Sequence, residues 1–259
     1  MELNTLLYEK EAGIATITLN RPQTLNALND ELISELSMLM DVIGADHEVK
    51  AVIITGGEKA FAAGGDILFM STADSLQAER FVESIKIAFD KIYHLDKPVI
   101  AAISGLALGG GSELALTCDI RIAAEGSMIG QPEINLGIIP GAGGTQRLTR
   151  AVGAGWAKHL IMTGLPVDAD TALKIGLVTA VVPKAQLLNE AKKMAGIMAS
   201  KSLVAMKAAK KCLNLSLDVD LASGLTYEIK TWSALFSTED QKEGMKAFLE
   251  KRKPIYKDR

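Results

Sequence analysis

The 259-residue chain has only two cysteines and three histidines. Cys118 and Cys212 lie far apart and form no CxxC pair, which argues against a disulfide frame and for free thiols in a reducing compartment. His47, His94 and His159 are scattered without metal-ligand spacing, so no histidine-built metal site is expected. Basic residues are not in excess: 28 Lys and Arg stand against 31 Asp and Glu, for a formal charge of −3. Such a chain has little with which to neutralise a phosphate backbone, and a dedicated nucleic-acid binder is not expected. No apolar run reaches membrane-spanning length, and Met1-Glu2-Leu3-Asn4 leads almost directly into a strand pattern without the charged and apolar regions of a signal peptide. The expectation is a cytoplasmic protein, neither secreted nor membrane-embedded.

Several common chemistries are missing as well. Gly141-Ala142-Gly143-Gly144 lacks the spacing of a dinucleotide fingerprint, and no glycine loop ends in the Lys-Ser or Lys-Thr of a phosphate loop. Ser112 is not a nucleophile elbow, because Leu114 occupies the second glycine position.

What remains is a chain 48% hydrophobic, long enough to bury a full core. Its first half alternates β-branched runs with helical stretches: strands at 14–19 and 51–55, with helices over 30–43 and another ending near His94. The nearly all-apolar run 98–103 predicts a strand buried on both faces, followed by a helix from about Ser112 and a strand over 118–123. Beyond Gly143 the pattern is mainly helical, broken by a strand-like run at 177–182. The segments 186–199, 203–213, 219–235 and 239–251 carry apolar residues at three- and four-residue spacing. Thr238 and Gln241 have the spacing of a capping box at the start of the last helix. This divides the chain into a core at 1–184 and a helical region at 185–259.

Three glycine-rich segments are candidates for chemistry. Leu108-Gly109-Gly110-Gly111-Ser112-Glu113 places three consecutive glycines ahead of a helix N-terminus, where free N–H groups favour a developing negative charge. A tight turn with close strand–helix packing would need the same glycines, and Glu113 would also complement the helix dipole. Phe61-Ala62-Ala63-Gly64-Gly65-Asp66-Ile67 offers further free N–H groups with Asp66 as an N-cap, though it also reads as an ordinary loop. In Ile129-Gly130-Gln131-Pro132-Glu133, Glu133 is a lone carboxylate among apolar residues and glycines. Desolvation there would raise its pKa and make it a proton donor near neutral pH, unless it is an ion-pair partner of a base such as Arg147.

Taken together, these segments resemble the enoyl-CoA hydratase/isomerase (crotonase) family. The ordered set runs from Asn20-Arg21-Pro22 and Leu25-Asn26-Ala27-Leu28 to Phe236-Ser237-Thr238-Glu239-Asp240 and the end of the last helix. The resemblance implies an α/β fold, a spiral of ββα turns with a C-terminal helical trimerisation region, assembled as trimers or hexamers. It implies reversible syn addition of water to a trans-2-enoyl-CoA, giving a 3-hydroxyacyl-CoA, in fatty-acid or short-chain acyl-CoA metabolism. No cofactor is implied beyond the coenzyme A of the substrate. The oxyanion donors fall on the N–H groups of Gly65 and Gly110, and the catalytic carboxylates on Glu113 and Glu133. Substrate contacts fall on Ala27, Ala63, Asp66, Ile67, Leu68 and Gly141, with Phe248 and Lys251 reaching in from a neighbouring subunit.

The sequence departs from the family pattern in places. Gly65 stands where many relatives have alanine, Ser112 where cysteine is common, and Gln23 and Leu68 where some members carry lysines near the CoA phosphates. An isomerase often keeps only one of the two acids, so having both favours hydration. An RNA-binding member of the family is the third reading, resting on the lysine clusters at 192–193, 207–211 and 251–253.

Overall fold

The computed structural model describes residues 3–259. Two strands, β1 (Leu6–Glu11) and β2 (Ile14–Leu19), form an antiparallel hairpin whose two-residue turn, Ala12-Gly13, has both φ angles positive. This is the conformation that matches a tight hairpin turn to the strand twist. After helix α1 (Asp30–Ala45), the chain repeats one pattern. A strand enters a six-stranded sheet, a short strand enters a four-stranded sheet, and a helix follows.

The first turn is β3 (Ala51–Thr55), β4 (Ala60–Ala62), the short α2 (Ile67–Met70) and α3 (Ser75–Tyr93). The second is β5 (Val99–Ile103), β6 (Leu106–Leu108) and α4 (Gly110–Thr117). The third is β7 (Ile120–Ala124), β8 (Met128–Gly130), a 3-10 turn (Pro132–Leu136) and α5 (Gly144–Thr163). Then come β9 (Val167–Asp168), α6 (Ala169–Lys174) and β10 (Ala180–Val182). The large sheet has the order β1-β2-β3-β5-β7-β10, parallel beyond the hairpin; the small one has the order β4-β6-β8-β9. This is the expected spiral of ββα turns.

Every residue of β3 and β5 is buried, as strands covered on both faces require. One face, with Val52, Ile54, Val99 and Ala101, joins the main core with α1 and α3. The other, with Ile53, Ile100, Ala102 and Ile122, packs against Leu187, Ala191 and Ala195 at four-residue spacing on α7 (Leu187–Ala199). The first helix beyond residue 184 is thus the second cover of the sheet.

The remaining helices are α8 (Leu203–Leu215), α9 (Leu221–Leu235) and α10 (Glu239–Leu249). Lys210 pins α8 to the core through Asp119, 2.8 Å away, with Asn214 donating to Tyr93 O at 3.2 Å. No helix among the described residues is long and apolar enough to cross a membrane.

Several expected details shift, among them the strand expected at 177–182, of which only Ala180–Val182 pairs as β10. Helix α4 starts at Gly110 because Gly109, at φ 51°, is its N-cap and needs no side-chain cap. Strand β7 starts at Ile120 because Cys118 caps the end of α4. Only half of the Thr238 capping box forms: Thr238 Oγ1 accepts from Gln241 N at 3.1 Å, while Gln241 Oε1 is buried without a partner among the described residues.

Candidate active site

The small sheet exists to bring backbone together. Gly109 N donates to Gly130 O (2.9 Å) at the end of the β6–β8 pairing, so α4 and the Pro132–Leu136 turn leave the sheet side by side. Each of the three glycines has its own reason. Gly109 has positive φ, and a Cβ there would come within 2.9 Å of Glu133 Oε1. A Cβ on Gly110 would press on Leu28 Cδ1, and one on Gly111 would run into the carbonyl of Ala62 in β4. The tight-turn reading therefore holds for all three, and it brings Gly110 against Gly65, whose backbone nitrogen would lie 3.6 Å from a Cβ on Gly110.

The loop carrying Gly65 is held by the segment 25–28. Ala63 N donates to Leu25 O (3.0 Å), Leu28 N to Gly64 O (2.8 Å) and Asp66 N to Leu28 O (2.9 Å). Asn26, only 2% exposed and left-handed at φ 59°, donates through Nδ2 to Ala60 O and Phe61 O and accepts from Arg21 N. Asparagine tolerates that conformation, and its amide here replaces sheet pairing. Neither Gly65 N nor Gly110 N has a protein acceptor among the described residues.

Glu113, in the first turn of α4, is 3% exposed. Its Oε1 accepts from Ala142 N (2.8 Å) and Gly144 N (2.7 Å), the latter opening α5. Burial pushes its pKa up, against those two N–H groups and the charge of Arg147. Glu133 lacks such support. Burial first, then the nearby Glu113 charge, push it up to about 7 despite its own backbone N–H, and its Oε2 is buried without a partner among the described residues. Arg147 is not its counterion; that guanidinium lies 3.4 Å from Asp90 and over the Tyr93 ring.

Glu113, Glu133, Gly65 and Gly110 line one cavity of about 130 Å3, together with Ala63, Ile67 and Gly141. Leu28, Met70, Phe81, Val82 and Ile85 supply much of its apolar wall. Five of the expected contacts, Ala27, Asp66, Leu68, Phe248 and Lys251, do not line it in this chain. Asp66 caps α2 by accepting from Leu68 N and Phe69 N, Leu68 is 81% exposed, and Phe248 is 82% exposed on α10, with Lys251 exposed just beyond it. Ala27 accepts from Arg21 Nη1 through its carbonyl.

Two residues escaped the sequence reading. Asn26 was part of a recognised motif, but its role in holding the loop needs the fold to be seen. Gln131 is fully buried with neither amide atom partnered among the described residues, and a Cβ on Gly144 would lie 2.9 Å from its Nε2. A glutamine within Ile129-Gly130-Gln131-Pro132 was the available signal.

Residues 9–259 match the family model described as Enoyl-CoA hydratase/isomerase. The short-chain-enoyl-CoA hydratase of Clostridium acetobutylicum is 48% identical over 98% of this chain and 97% of its own. The crotonyl-CoA hydratase of Syntrophomonas wolfei is 45% identical over 98% of both chains. The crystal structure of enoyl-CoA hydratase from Bacillus anthracis superposes with a TM-score of 0.96, at 41% identity, covering 99% of this chain and 100% of that one. The ββα spiral, the paired acids and these full-length matches agree: the chain belongs to the enoyl-CoA hydratase/isomerase family.

Proposed function

We propose that the protein is an enoyl-CoA hydratase, a hydro-lyase adding water across the double bond of a short-chain 2-enoyl-CoA. The observation that carries this reading is the asymmetry of the two acids in one cavity. Glu113 receives two N–H bonds at a helix N-terminus, which favour its anion. Glu133 receives none on Oε2 and is the one pushed up to about 7. Two close carboxyls titrate as a pair, and here the proton rests on Glu133.

The steps follow from that assignment. The N–H groups of Gly65 and Gly110 hold the thioester oxygen as enolate charge develops on it. Glu113 draws a proton from a water whose oxygen bonds to C3, the electron pair of the double bond moves toward the thioester, and Glu133 delivers its proton to C2 on the same face. Return of the proton from Glu113 to Glu133 resets the pair. Nothing beyond the CoA of the substrate is needed, so hydration should survive exhaustive chelation.

The cavity that holds both acids is small, about 130 Å3, and walled mainly by apolar side chains, as an acyl chain requires. The names of the relatives favour a short acyl chain. A turnover series across 2-enoyl-CoA chain lengths, with 3-enoyl-CoA alongside, tests the reading; fast 3-to-2 isomerisation with slow hydration would establish the isomerase instead.

Assembly as trimers or hexamers completes the proposal, with Phe248 and Lys251 serving a neighbour's CoA. The lysine clusters do not favour nucleic acid, because most of their basic residues are paired with acids. Lys207 and Lys211 pair with Asp96, Lys210 with Asp119, Lys193 with Glu190 and Arg252 with Glu243. A cytoplasmic setting fits the two free cysteines.

A further inference from the structure

The loop 140–144 is gripped from two sides. On one side, Glu113 Oε1 takes the N–H groups of Ala142 and Gly144. On the other, the side chain of Arg147 donates through Nη1 to Ala142 O (3.3 Å). Gly143 lies between them at φ 115°, and a Cβ there would run into Nη1 of Arg147. Ala142 is thus bonded to the arginine through its carbonyl and to the glutamate through its amide. The guanidinium is itself held from α3, 3.4 Å from Asp90 Oδ1 and 5.3 Å from the centre of the Tyr93 ring. Those contacts spend its charge only in part, since Asp90 also pairs with Lys86.

From this geometry we infer that Arg147 is a positioning residue for hydration, fixing the loop whose amides hold Glu113. The inference rests on the catalytic reading of Glu113 given above. The planar fork orders the loop, as a lysine could not, and the positive charge lowers the pKa of Glu113 against the effect of burial. Around Arg147, α3 presents Lys86, Asp90, Tyr93 and His94, and α5 presents Arg150. Across the groove stand Asp119, Lys210 and Asp218. Glu133 is the other titrating group facing Glu113.

The test compares crotonyl-CoA hydration by the full-length enzyme with that of Arg147→Gln, Arg147→Ala and Arg147→Lys, all in a His94→Gln background that removes the imidazole near Arg147. Loss of the charge should lower kcat on the order of 10²-fold with KM little changed, as expected when a catalytic group is misplaced. It should also move the acidic limb of the kcat profile to higher pH, because Glu113 then holds its proton longer. Arg147→Lys should return the limb to its wild-type position while recovering only part of kcat. A rate loss with the limb unmoved in Arg147→Gln would reduce Arg147 to a packing residue and overturn the inference. If Arg147→Ala fails to fold, Arg147→Gln, which keeps bulk and a donor, carries the comparison. Glu113→Gln run in parallel separates the two levels: retention of hydration there sinks the reading of Glu113 and this inference with it, whereas its collapse beside an unaffected Arg147→Gln sinks the inference alone.

Discussion

Gly110 lies against Gly65: a Cβ on Gly110 would sit 3.6 Å from the backbone nitrogen of Gly65 and 2.9 Å from Leu28 Cδ1. The two N–H groups proposed to bind the thioester oxygen therefore depend on the absence of a side chain. Leu28 Cδ1 is the free end of a flexible side chain and can yield, and Gly110 has no positive φ, so Gly110→Ala should fold with a near-native melting temperature. The shifted N–H should nonetheless cost on the order of 10²-fold in kcat. Gly111→Ala drives a methyl group into the backbone of β4 and should lose about 1–3 kcal/mol or more of stability. Melting curves and kcat for both variants check this; a parallel fall in the two measures for Gly110→Ala would leave the glycine a packing role only.

The two acids should fail as a unit. Glu113→Gln and Glu133→Gln are each expected to lower kcat for crotonyl-CoA hydration by about 10²–10⁴-fold, the usual contribution of a general acid or base. The double variant should lose far less than the product of the single losses. Glutamine keeps the volume, and the thioester oxygen is held elsewhere, so the Kd of a substrate analogue should move little. Hydration surviving one of the single substitutions would remove that glutamate from the mechanism and favour the isomerase reading.

How much of this was legible in the sequence depended on the length scale of the signal. Strands β3 and β5 are apolar throughout because both faces are covered, and such runs stand out. The small sheet left no comparable trace: β4, β6, β8 and β9 are two or three residues long, too short for alternation to show. Their glycine-rich exits were conspicuous instead, and the residues there converge on the cavity. Asn26, a side chain that holds backbone, is not legible in this way, and neither is the buried amide of Gln131, unpartnered among the described residues. Asn26 bonds to carbonyls of β4, 34 and 35 residues away, and nothing local to it records that. The sequence offers Arg147 as a partner for Glu133, whereas the fold turns it toward Asp90 and the loop that serves Glu113.

The raised pKa of Glu133 has consequences for rate and for stability. Hydration requires the protonated acid, so kcat/KM should decline as pH rises through about 7. A carboxyl whose pKa rises on folding keeps its proton in the folded chain where the unfolded chain has released it. The folded state therefore loses stability from this group as pH climbs from the ordinary value of 4.5 through about 7. Glu133→Gln should melt higher than wild type at pH 8 and about equally at pH 4. Partial solvent exposure reduces the gain to on the order of 1 kcal/mol. An equal melting difference at both pH values would show that the gain comes from packing rather than from charge.

Helix α9 has no buried residue, yet Leu221, Leu225, Ile229 and Trp232 all stand exposed on it at spacings that keep them near one face. A helix of this length gains most of its stability from tertiary packing, and an exposed apolar stripe of this kind marks an interaction surface. In the proposed trimer or hexamer that surface is a subunit contact, and sedimentation equilibrium should find no monomer at micromolar concentration. Leu225→Asp together with Ile229→Asp should dissociate the assembly. If Lys251 of one subunit grips the CoA of the next, the dissociated enzyme should behave like Lys251→Ala, with KM for crotonyl-CoA raised more than kcat is lowered, because that contact is made equally in ground and transition states. A stable monomer with wild-type KM would overturn both the assembly and the shared binding of CoA, and collapse of kcat at unchanged KM in Lys251→Ala would move that lysine from binding to chemistry.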